Sequence, residues 1–346
     1  SLTTVDNALA GAPALGATAA SITGAFTSFG SLASGSTSSV VLSTQQGNIN
    51  FDVTAATRTK VVDGAQGTNT TADDANTNSD DIVGSLGNVS MTSSYGNITT
   101  NLNSAWVAAN PATSSDVGRA AKIGNVTLST GSSFEVQLGA GNDIAQLEGA
   151  ITIGGSSNGE IGNITATTQT GNIASNLGLN NKAGNIAFTS AAYVDGGTEI
   201  SAGDISLSGT YANLTSTTIG NINLKAQGTG TVAAAYTADV AWVDTNANNK
   251  IDSGEQRTFT SGSLTAEAVN GNITFGVDVY NASPLGAEKE GFGSTLGAVS
   301  LTTTGTGSVA INNSVLRVSE IVDFSAVSGG GITVDATTQW DASKIT

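Results

Sequence analysis

Apolar and polar residues alternate in many short runs along this chain. A typical run begins with glycine, asparagine and then isoleucine or valine, and continues with every second residue apolar, as in Asn125–Ser129 and Asn221–Lys225. Alternation with a period of two is characteristic of a β-strand that buries one of its faces. Each run therefore predicts a turn followed by a short strand, in which the isoleucine or valine and the residue two positions later face a core.

The same phrase recurs along most of the chain. Its copies begin at Gly47, Gly87, Gly96, Gly124, Gly162, Gly171, Gly184, Gly220 and Gly271, and looser copies begin at Gly203, Gly297 and Gly307. Glycine and asparagine both accept the positive φ angles of tight turns. We therefore expect the Gly-Asn pairs to supply left-handed turn positions between the strands.

The spacing of the copies bears on two all-β architectures. Gly184 and Gly203 are 19 residues apart and Gly203 and Gly220 are 17 residues apart, close to one coil of a β-solenoid. A β-sandwich would instead show turns every ~8–12 residues, and the nine-residue interval between Gly87 and Gly96 is of that kind. We predict an all-β fold, a right-handed parallel β-helix in which each coil buries the apolar face of the next, with a β-sandwich array as the alternative.

Three segments lack the phrase. Residues 1–30, rich in alanine, glycine, threonine and leucine, are predicted to form an N-terminal arm or cap before a repetitive β-strand region at 31–346. Residues 63–81 contain several aspartates among asparagine, threonine and glycine without apolar periodicity, and residues 283–293 contain a proline and alternating glutamate and lysine. Both are predicted to be loop insertions in the repetitive region.

The composition is that of an ordered protein built from small residues. The 346 residues include 44 glycines, 3 prolines and no cysteine, and 38% are hydrophobic, which suffices for a core in a chain of this length. Without disulfides, stability must come from sheet packing or from metal. The sequence has no run of ~18 apolar residues that could form a transmembrane helix. Its first residues, Ser1–Thr4, lack a methionine, and we expect that an export signal has been removed.

The charge of the chain is strongly acidic. It carries 27 acidic and 11 basic side chains and no histidine, which gives a formal net charge of −16. Nucleic-acid binding requires clustered lysine and arginine, whereas the basic residues here are scattered, so nucleic acid is excluded as a partner. Divalent cations would relieve the repulsion among the carboxylates and are the natural counterpart.

A twelve-residue segment, Asp244–Glu255, has the pattern of a calcium-binding loop. In such loops oxygen ligands come from positions 1, 3, 5, 7, 9 and 12, and position 7 contributes its backbone carbonyl. The corresponding residues are Asp244, Asn246, Asn248, Lys250, Asp252 and Glu255. Hard oxygen donors in this number favour Ca²⁺ over Zn²⁺. The glycine usual at position 6 is replaced by Asn249, which also tolerates a left-handed conformation.

The residues on both sides of this segment alternate as strands do, so the loop is predicted to connect two strands rather than two helices. Its twelve residues resemble the EF-hand-like calcium loops of many secreted bacterial proteins, and the resemblance implies Ca²⁺ as the bound ion. Two neutral asparagines among the ligands imply weak affinity, as in extracellular modules. A second segment, Leu138–Leu147, is similar to one unit of the glycine-rich nonapeptide repeats that bind calcium. One unit cannot build such a site, so we expect an ordinary turn there.

The absence of histidine and cysteine excludes serine–histidine triads, cysteine nucleophiles and zinc held by those residues. Calcium-dependent polysaccharide lyases on parallel β-helices use a basic residue beside acidic calcium ligands, and Arg257 lies close to Glu255 in sequence. A calcium-dependent polysaccharide lyase is therefore a remote alternative function. We expect that the chain is not an enzyme.

The bias towards asparagine, glycine, serine and threonine, the acidic charge, the repeated strands and the calcium loop resemble bacterial S-layer proteins and related β-strand-repeat cell-surface proteins. The resemblance implies a secreted structural protein of the cell surface that self-assembles with other copies of itself into a layer or filament, supported by calcium. The repeat phrases also look like those of filamentous-haemagglutinin-type β-helices. An adhesin or passenger module that binds cell-surface glycans is therefore the alternative.

Overall fold

The chain folds into a stack of parallel β-coils, as a computed structural model shows. The structure describes residues 2–3, 21–28, 39–44, 47–58, 82–94, 96–107, 119–131, 137–138, 143–144, 149–195, 198–200, 202–211, 216–240, 257–280, 294–312, 314–335 and 337–345. Within these ranges there is no helix, and so none that is long and apolar enough to cross a membrane. The predicted all-β solenoid is confirmed.

One ten-stranded parallel sheet, termed the first face, runs through the whole stack. Its strands lie next to one another in chain order. They are Leu2–Thr3 (β1), Val40–Thr44 (β3), Val89–Ser93 (β8), Val126–Thr130 (β13), Ile164–Thr168 (β19), Ile186–Ser190 (β23), Ile222–Ala226 (β28), Leu264–Ala268 (β31), Val299–Thr303 (β35) and Phe324–Val327 (β38).

A second parallel sheet, of 22 strands, forms the rest of each coil. We divide it into a second face, which follows a first-face strand along the chain, and a third face, which precedes the next first-face strand. The second face comprises Ile22–Ser28 (β2), Ile49–Ala55 (β4), Ile98–Ser104 (β9), Ile151–Gly154 (β16), Ser156–Ser157 (β17), Ile173–Ser175 (β20), Gly178–Leu179 (β21), Ile205–Tyr211 (β26), Val232–Asp239 (β29), Ile273–Phe275 (β32), Asp278–Tyr280 (β33), Val309–Ile311 (β36) and Ile332–Val334 (β39). The third face comprises Ser85–Leu86 (β7), Lys122–Ile123 (β12), Glu160–Ile161 (β18), Lys182–Ala183 (β22), Ser216–Ile219 (β27), Thr258–Ser261 (β30) and Thr295–Leu296 (β34). Two long strands, Val315–Ile321 (β37) and Gln339–Ile345 (β40), belong to both faces.

Within the described residues, four antiparallel hairpins project from the coils. They pair Thr57–Arg58 (β5) with Ile82–Val83 (β6), Trp106–Val107 (β10) with Arg119–Ala120 (β11), Gln137–Leu138 (β14) with Asp143–Ile144 (β15), and Tyr193–Asp195 (β24) with Thr198–Ile200 (β25). The β14–β15 hairpin occupies the segment that is similar to a nonapeptide repeat. These two strands pair antiparallel, but residues 139–142 and 145–147 lie outside the described residues, so the expected turn stays a prediction.

Equivalent apolar residues of successive coils stack into columns. The column at the start of the first face runs through Val40, Val89, Val126, Ile164, Ile186, Ile222, Leu264, Val299 and Phe324. A second column, at the start of the second face, runs through Ile49, Ile98, Ile151, Ile173, Ile205, Val232, Ile273, Val309 and Ile332. All but Phe324 and Ile332, which belong to the last coil, are buried in one hydrophobic cluster. Burial of each such side chain contributes roughly 1.5–3 kcal/mol, so the columns hold the coils in register.

The Gly-Asn phrase marks two corners in each coil rather than one. Gly87 and Gly96 lie at the two ends of the same first-face strand, β8, so a nine-residue interval separates two corners of one coil. The intervals on either side of Gly203 are likewise two parts of one coil. The shortest coil has 22 residues, measured between the equivalent residues Asn163 and Asn185. Our interpretation of 17 or 19 residues as a whole coil was therefore wrong, and the parallel pairing excludes the β-sandwich alternative.

The predicted division at residue 30 stays a prediction. The strand β2 (Ile22–Ser28) pairs in parallel with β4, but residues 4–20 and 29–38 lie outside the described residues. The predicted insertions at 63–81 and 283–293 also lie outside them.

Candidate functional site

The predicted calcium ligands, from Asp244 to Glu255, lie outside the described residues, so their arrangement stays a prediction. The structure does describe the strands on both sides, β29 and β30, and both are strands as predicted. β29 pairs with second-face strands, and β30 pairs with third-face strands. The predicted loop therefore connects the second and third faces of one coil. Arg257, directly before β30, is half-buried, but its proposed partner Glu255 is not described, so the lyase arrangement is untested.

Acidic side chains in the described part of the chain do not gather into a metal site. No three of them are grouped closely enough to hold an ion. Asp278 has a structural contact instead: its Oδ1 accepts a hydrogen bond of 2.8 Å from the backbone N–H of Val315 in the next coil. Partial burial raises the pKa of this carboxyl. The described residues thus offer no second candidate beside the predicted loop.

The first corner is the connection between a third-face strand and the next first-face strand. It has two residues in each of the eight coils where both strands are described. These pairs are 87–88, 124–125, 162–163, 184–185, 220–221, 262–263, 297–298 and 322–323. The chain therefore turns between the same two faces in the same way, coil after coil.

Asparagine side chains join the first corners of successive coils. The backbone N–H of Asn125 donates to Oδ1 of Asn88 at 3.0 Å, and the N–H of Asn163 donates to Oδ1 of Asn125 at 2.9 Å. The further bonds, at 2.9–3.0 Å, run from Asn185 to Asn163, from Asn221 to Asn185 and from Ser263 to Asn221. At a corner the side chain supplies an acceptor for a backbone donor, and strong backbone groups need such partners. We term this series the asparagine ladder.

The glycine before each ladder asparagine is required by the close approach of the coils. None of Gly124, Gly162, Gly184 and Gly220 has a positive φ. A Cβ on Gly162 would lie 2.6 Å from Oδ1 of Asn125 and 2.8 Å from the carbonyl carbon of Gly124. The prediction that these glycines supply left-handed turn positions is therefore wrong. Neighbouring strands of a sheet are ~4.8 Å apart, and at this corner that spacing leaves no room for a side chain.

The second corner, which precedes each second-face strand, is more variable. Here a side-chain oxygen accepts a hydrogen bond of 2.8–3.2 Å from a backbone N–H of the next coil. The residues that supply this oxygen are Ser21, Asn48, Asn97, Asn172, Asp204 and Asn272. Ala150 lies between Asn97 and Asn172 in this column and has no acceptor. The ladder of the second corner is thus interrupted, whereas that of the first corner continues through five successive asparagines.

Buried hydroxyl groups support the second corner from inside the coil. Ser93 is completely buried; its Oγ donates to the carbonyl of Gly47 at 2.9 Å and accepts from the N–H of Gly96 at 2.8 Å. Equivalent buried hydroxyls with hydrogen bonds to corner glycines belong to Thr44, Thr130, Thr168, Ser190 and Thr303. They satisfy backbone groups that the sheets leave unpaired.

Because the first corner has two residues in each of the eight coils where the structure describes it, the third face, the first corner and the first face form one continuous surface there, termed the smooth side. All four hairpins project elsewhere, between a first-face strand and the following third-face strand. On the smooth side Lys122 Nζ lies 2.9 Å from Glu160 Oε2, and Lys225 Nζ lies 3.0 Å from Glu267 Oε2. Outward-facing hydroxyl residues of neighbouring first-face strands include Ser90, Thr92, Thr127, Ser129, Thr165 and Thr167.

A shallow groove of about 470 Å³ follows the smooth side across four coils. Its floor is formed by the first-corner glycines, among them Gly124 and Gly162. Lys122, Glu160 and Lys182 line its third-face edge. The groove runs along the stack and is bordered by two lysines and one glutamate.

No family model, curated protein or solved structure matches this chain. The geometry alone defines its class, a parallel β-solenoid with an asparagine ladder and one smooth side.

Sequence reasoning missed the ladder and the buried hydroxyls, although the sequence contained a signal for both. A serine or threonine follows the first-corner glycine by six residues in several coils, as at Gly87 and Ser93 or Gly184 and Ser190. A fixed offset of this kind indicates a polar group with a constant structural role. Its partners could not be named, because the corner glycines approach these hydroxyls only once the chain has turned, and some of them, such as Gly47 beside Ser93, belong to another coil.

Proposed function

We propose that this chain is a structural subunit of an extracellular, self-assembling layer or filament of the cell surface, stabilised by calcium, and not an enzyme. The observation that supports this proposal best is the smooth side, an insertion-free surface that repeats once per coil. A surface of this kind presents the same chemistry at regular intervals, so it can pack against a flat, regular partner such as another copy.

The residues of the smooth side favour such packing. Serine, threonine and asparagine side chains are short and lose little conformational freedom when they are covered. The paired charges, such as Lys122 with Glu160, add little net charge to a chain that carries −16 overall. A standard interface needs about 800 Å² from each partner, a small part of the 16601 Å² of accessible surface.

Calcium has two roles in this proposal. It binds the loop from Asp244 to Glu255 and holds it between the second and third faces, and it lowers the repulsion between acidic copies. The sequence pattern of the loop and the strands β29 and β30 that flank it support the first role.

Electron microscopy and light scattering on the purified chain test the proposal, with millimolar calcium added and then removed by a chelator. We expect ordered sheets or filaments that dissolve upon chelation. Monodisperse particles under both conditions would contradict assembly. Assemblies that persist after chelation would contradict the role of calcium while leaving the structural role in place.

Paired variants test whether the smooth side forms the contacts. Thr127→Arg and Thr167→Arg place a bulky charge on exposed positions of the first face, and we expect them to abolish assembly. Thr99→Arg and Thr152→Arg place the same group on exposed positions of the second face and serve as matched controls that should assemble normally. Equal loss in both pairs would show that the contacts are not specific to the smooth side.

The calcium site has its own measurement. Glu255→Gln removes the charge of the predicted bidentate ligand and should weaken calcium binding at least tenfold in calorimetry, because the affinity of such a loop depends on how many of its ligands are charged. Glu160→Gln, a surface carboxylate far from the loop in sequence, is the control. Unchanged affinity in Glu255→Gln would contradict the predicted ligand set.

The groove favours a second candidate function, that of an adhesin or passenger module whose smooth side binds an extended glycan. In that case the chain stays monomeric, and Lys182→Ala weakens binding to an acidic polysaccharide in solution. Absence of binding to neutral and acidic polysaccharides by the monomer would contradict this candidate.

A further inference from the structure

Two successive coils contain a cluster of aromatic and hydroxyl side chains in the core. The rings of Tyr211 and Tyr236 have centroids 4.8 Å apart with planes inclined by 34°, and the Phe259 ring lies 6.1–6.2 Å from both. Thr217 is the neighbour of Phe259 on the adjacent third-face strand. Ser261 follows in the strand of Phe259. All five side chains are at most 5% exposed, so this cluster lies deep in the stack.

The four hydroxyl groups of this cluster lack hydrogen-bond partners in the part of the chain that the structure describes. They belong to Tyr211, Thr217, Tyr236 and Ser261. Burial raises the pKa of Tyr236, and the nearby Ser261 hydroxyl lowers it in part. The two hydroxyls nevertheless do not form a hydrogen bond of acceptable geometry. Elsewhere in the core, buried hydroxyls such as Ser93 and Ser190 are fully bonded to corner glycines.

Burial of four such groups without partners would be a large disadvantage for folding. Each hydroxyl is hydrogen-bonded to water in the unfolded chain and loses that bond on burial. Folded proteins are only marginally stable, and buried polar groups without protein partners are commonly bridged by ordered water. We infer that these two coils enclose an internal site for ordered water, bound by the hydroxyls of Tyr211, Thr217, Tyr236 and Ser261.

The chemistry of the site selects a neutral ligand that both donates and accepts hydrogen bonds. Hydroxyl groups have both capacities, and burial raises the pKa of Tyr211 and of Tyr236, so both remain protonated. Water has the matching capacity and needs two to four polar partners. A cation would instead require carboxylate or carbonyl ligands.

Small residues surround the tyrosine side chains. Ala234 and Ala238 are the inward-facing residues on either side of Tyr236 in β29, and both are completely buried. In the preceding coil the residue paired with Tyr236 is Gly209, which has a φ of 138°. A Cβ at this glycine would lie 3.3 Å from the Tyr211 ring. Gly209 therefore makes room for the Tyr211 ring, and the two alanines keep the side-chain volume beside Tyr236 small.

This inference is independent of the assembly proposal, and its test uses the full chain in solution. Oxygen-17 magnetic relaxation dispersion counts the long-lived internal water molecules of a protein. We expect the count to fall by at least one in Tyr236→Phe and in Ser261→Ala, which remove one hydroxyl each. Phe259→Leu changes the packing of the same cluster without removing a hydroxyl, and its count should equal that of the unchanged protein.

A crystal structure would give the same result directly, as ordered water within hydrogen-bond distance of at least two of the four oxygens. Equal water counts in all variants would overturn the inference. So would a rise in the denaturation midpoint of Tyr236→Phe, because removal of an unsatisfied hydroxyl stabilises a core, whereas removal of a water ligand does not.

Discussion

The first and second corners both turn the chain from one face of a coil to the next, but different hydrogen bonds stabilise them. At the first corner the chain passes between two faces in two residues, and five successive asparagines form an unbroken ladder. At the second corner the side-chain acceptors include serine, asparagine and aspartate, and the column of acceptors is interrupted at Ala150. In some coils an insertion lies directly before this corner, between the first-face strand and the second-face strand. The second corner has a support that the first lacks, the buried hydroxyls at the ends of the first-face strands.

The difference shows how a corner can tolerate change. Where an internal hydroxyl already binds the backbone of the turn, the external residue can vary and the chain can leave the stack just before it. Where no such hydroxyl exists, a Gly-Asn pair recurs in five successive coils, because glycine permits the close approach and asparagine supplies the acceptor; the three later first corners are Gly262-Ser263, Gly297-Ala298 and Val322-Asp323. The smooth side follows from that second case.

Glycine substitution should have the largest effect, and it should be larger at the second corner. In Gly171→Ala the new Cβ would overlap the backbone carbonyl of Gly149, whereas in Gly184→Ala the nearest atom is the side-chain Oδ1 of Asn163 and the nearest backbone atoms are 2.8 Å away. Backbone cannot move aside as a side chain can, so we expect a loss of about 3 kcal/mol for Gly171→Ala and less for Gly184→Ala. Denaturant unfolding measures both.

Gly178→Ala is the matched control, since its Cβ would meet nothing closer than 3.3 Å. Equal midpoints for the control and Gly171→Ala would refute the close approach of coils as the reason for these glycines.

Removal of a buried hydroxyl should come next. Ser190 Oγ donates to the Gly171 carbonyl at 3.1 Å and accepts from the N–H of Gly203 at 2.8 Å. Ser190→Ala leaves both backbone groups buried without this partner and should lower the free energy of unfolding by about 2 kcal/mol. The equivalent position in the next coil is Ala226, so the fold itself should survive the change. A loss no greater than that of a half-buried serine on the outer surface, such as Ser90→Ala, would show that the second corner does not depend on its hydroxyls.

Loss of one ladder asparagine should have a smaller effect. Asn163→Ala removes the acceptor for the N–H of Asn185, but this corner is exposed and water can replace part of the bond, so we expect a loss of about 1 kcal/mol. Asn163→Asp keeps an acceptor oxygen and should retain most of the stability. If both variants lost the same amount, the side-chain oxygen would not be the stabilising group.

The smallest effect is an expected gain. Ala150 interrupts the second-corner column between Asn97 and Asn172, and Ala150→Asn would place a side-chain oxygen beside the backbone of the next coil. We expect an increase of up to about 1 kcal/mol in unfolding free energy. Thr152→Asn, two residues further on an exposed strand position, should give no gain. A decrease in Ala150→Asn would indicate that the interruption at this corner is required.

Much of the fold could be predicted from the chain alone, because each strand carries its own pattern. The alternation in Val126–Thr130 and Ile222–Ala226 determines which side chains face inward, and the recurrence of that pattern indicates a repeat architecture. The acidic charge and the twelve-residue pattern from Asp244 to Glu255 likewise define a calcium hypothesis without reference to neighbours. These properties depend only on residues that are close together in sequence, so they can be predicted without knowledge of the fold.

Only the tertiary structure decided which repeats are neighbours. Gly87 and Gly96 look like successive copies of one phrase, yet they belong to two corners, and the hydrogen-bond partner of Asn125 is Asn88, 37 residues earlier. Insertions of variable length separate vertically stacked residues, so sequence distance says little about spatial distance. The ladder, the reason for its glycines, the smooth side and the buried hydroxyl cluster all depend on contacts between coils, and these exist only once the coils have stacked.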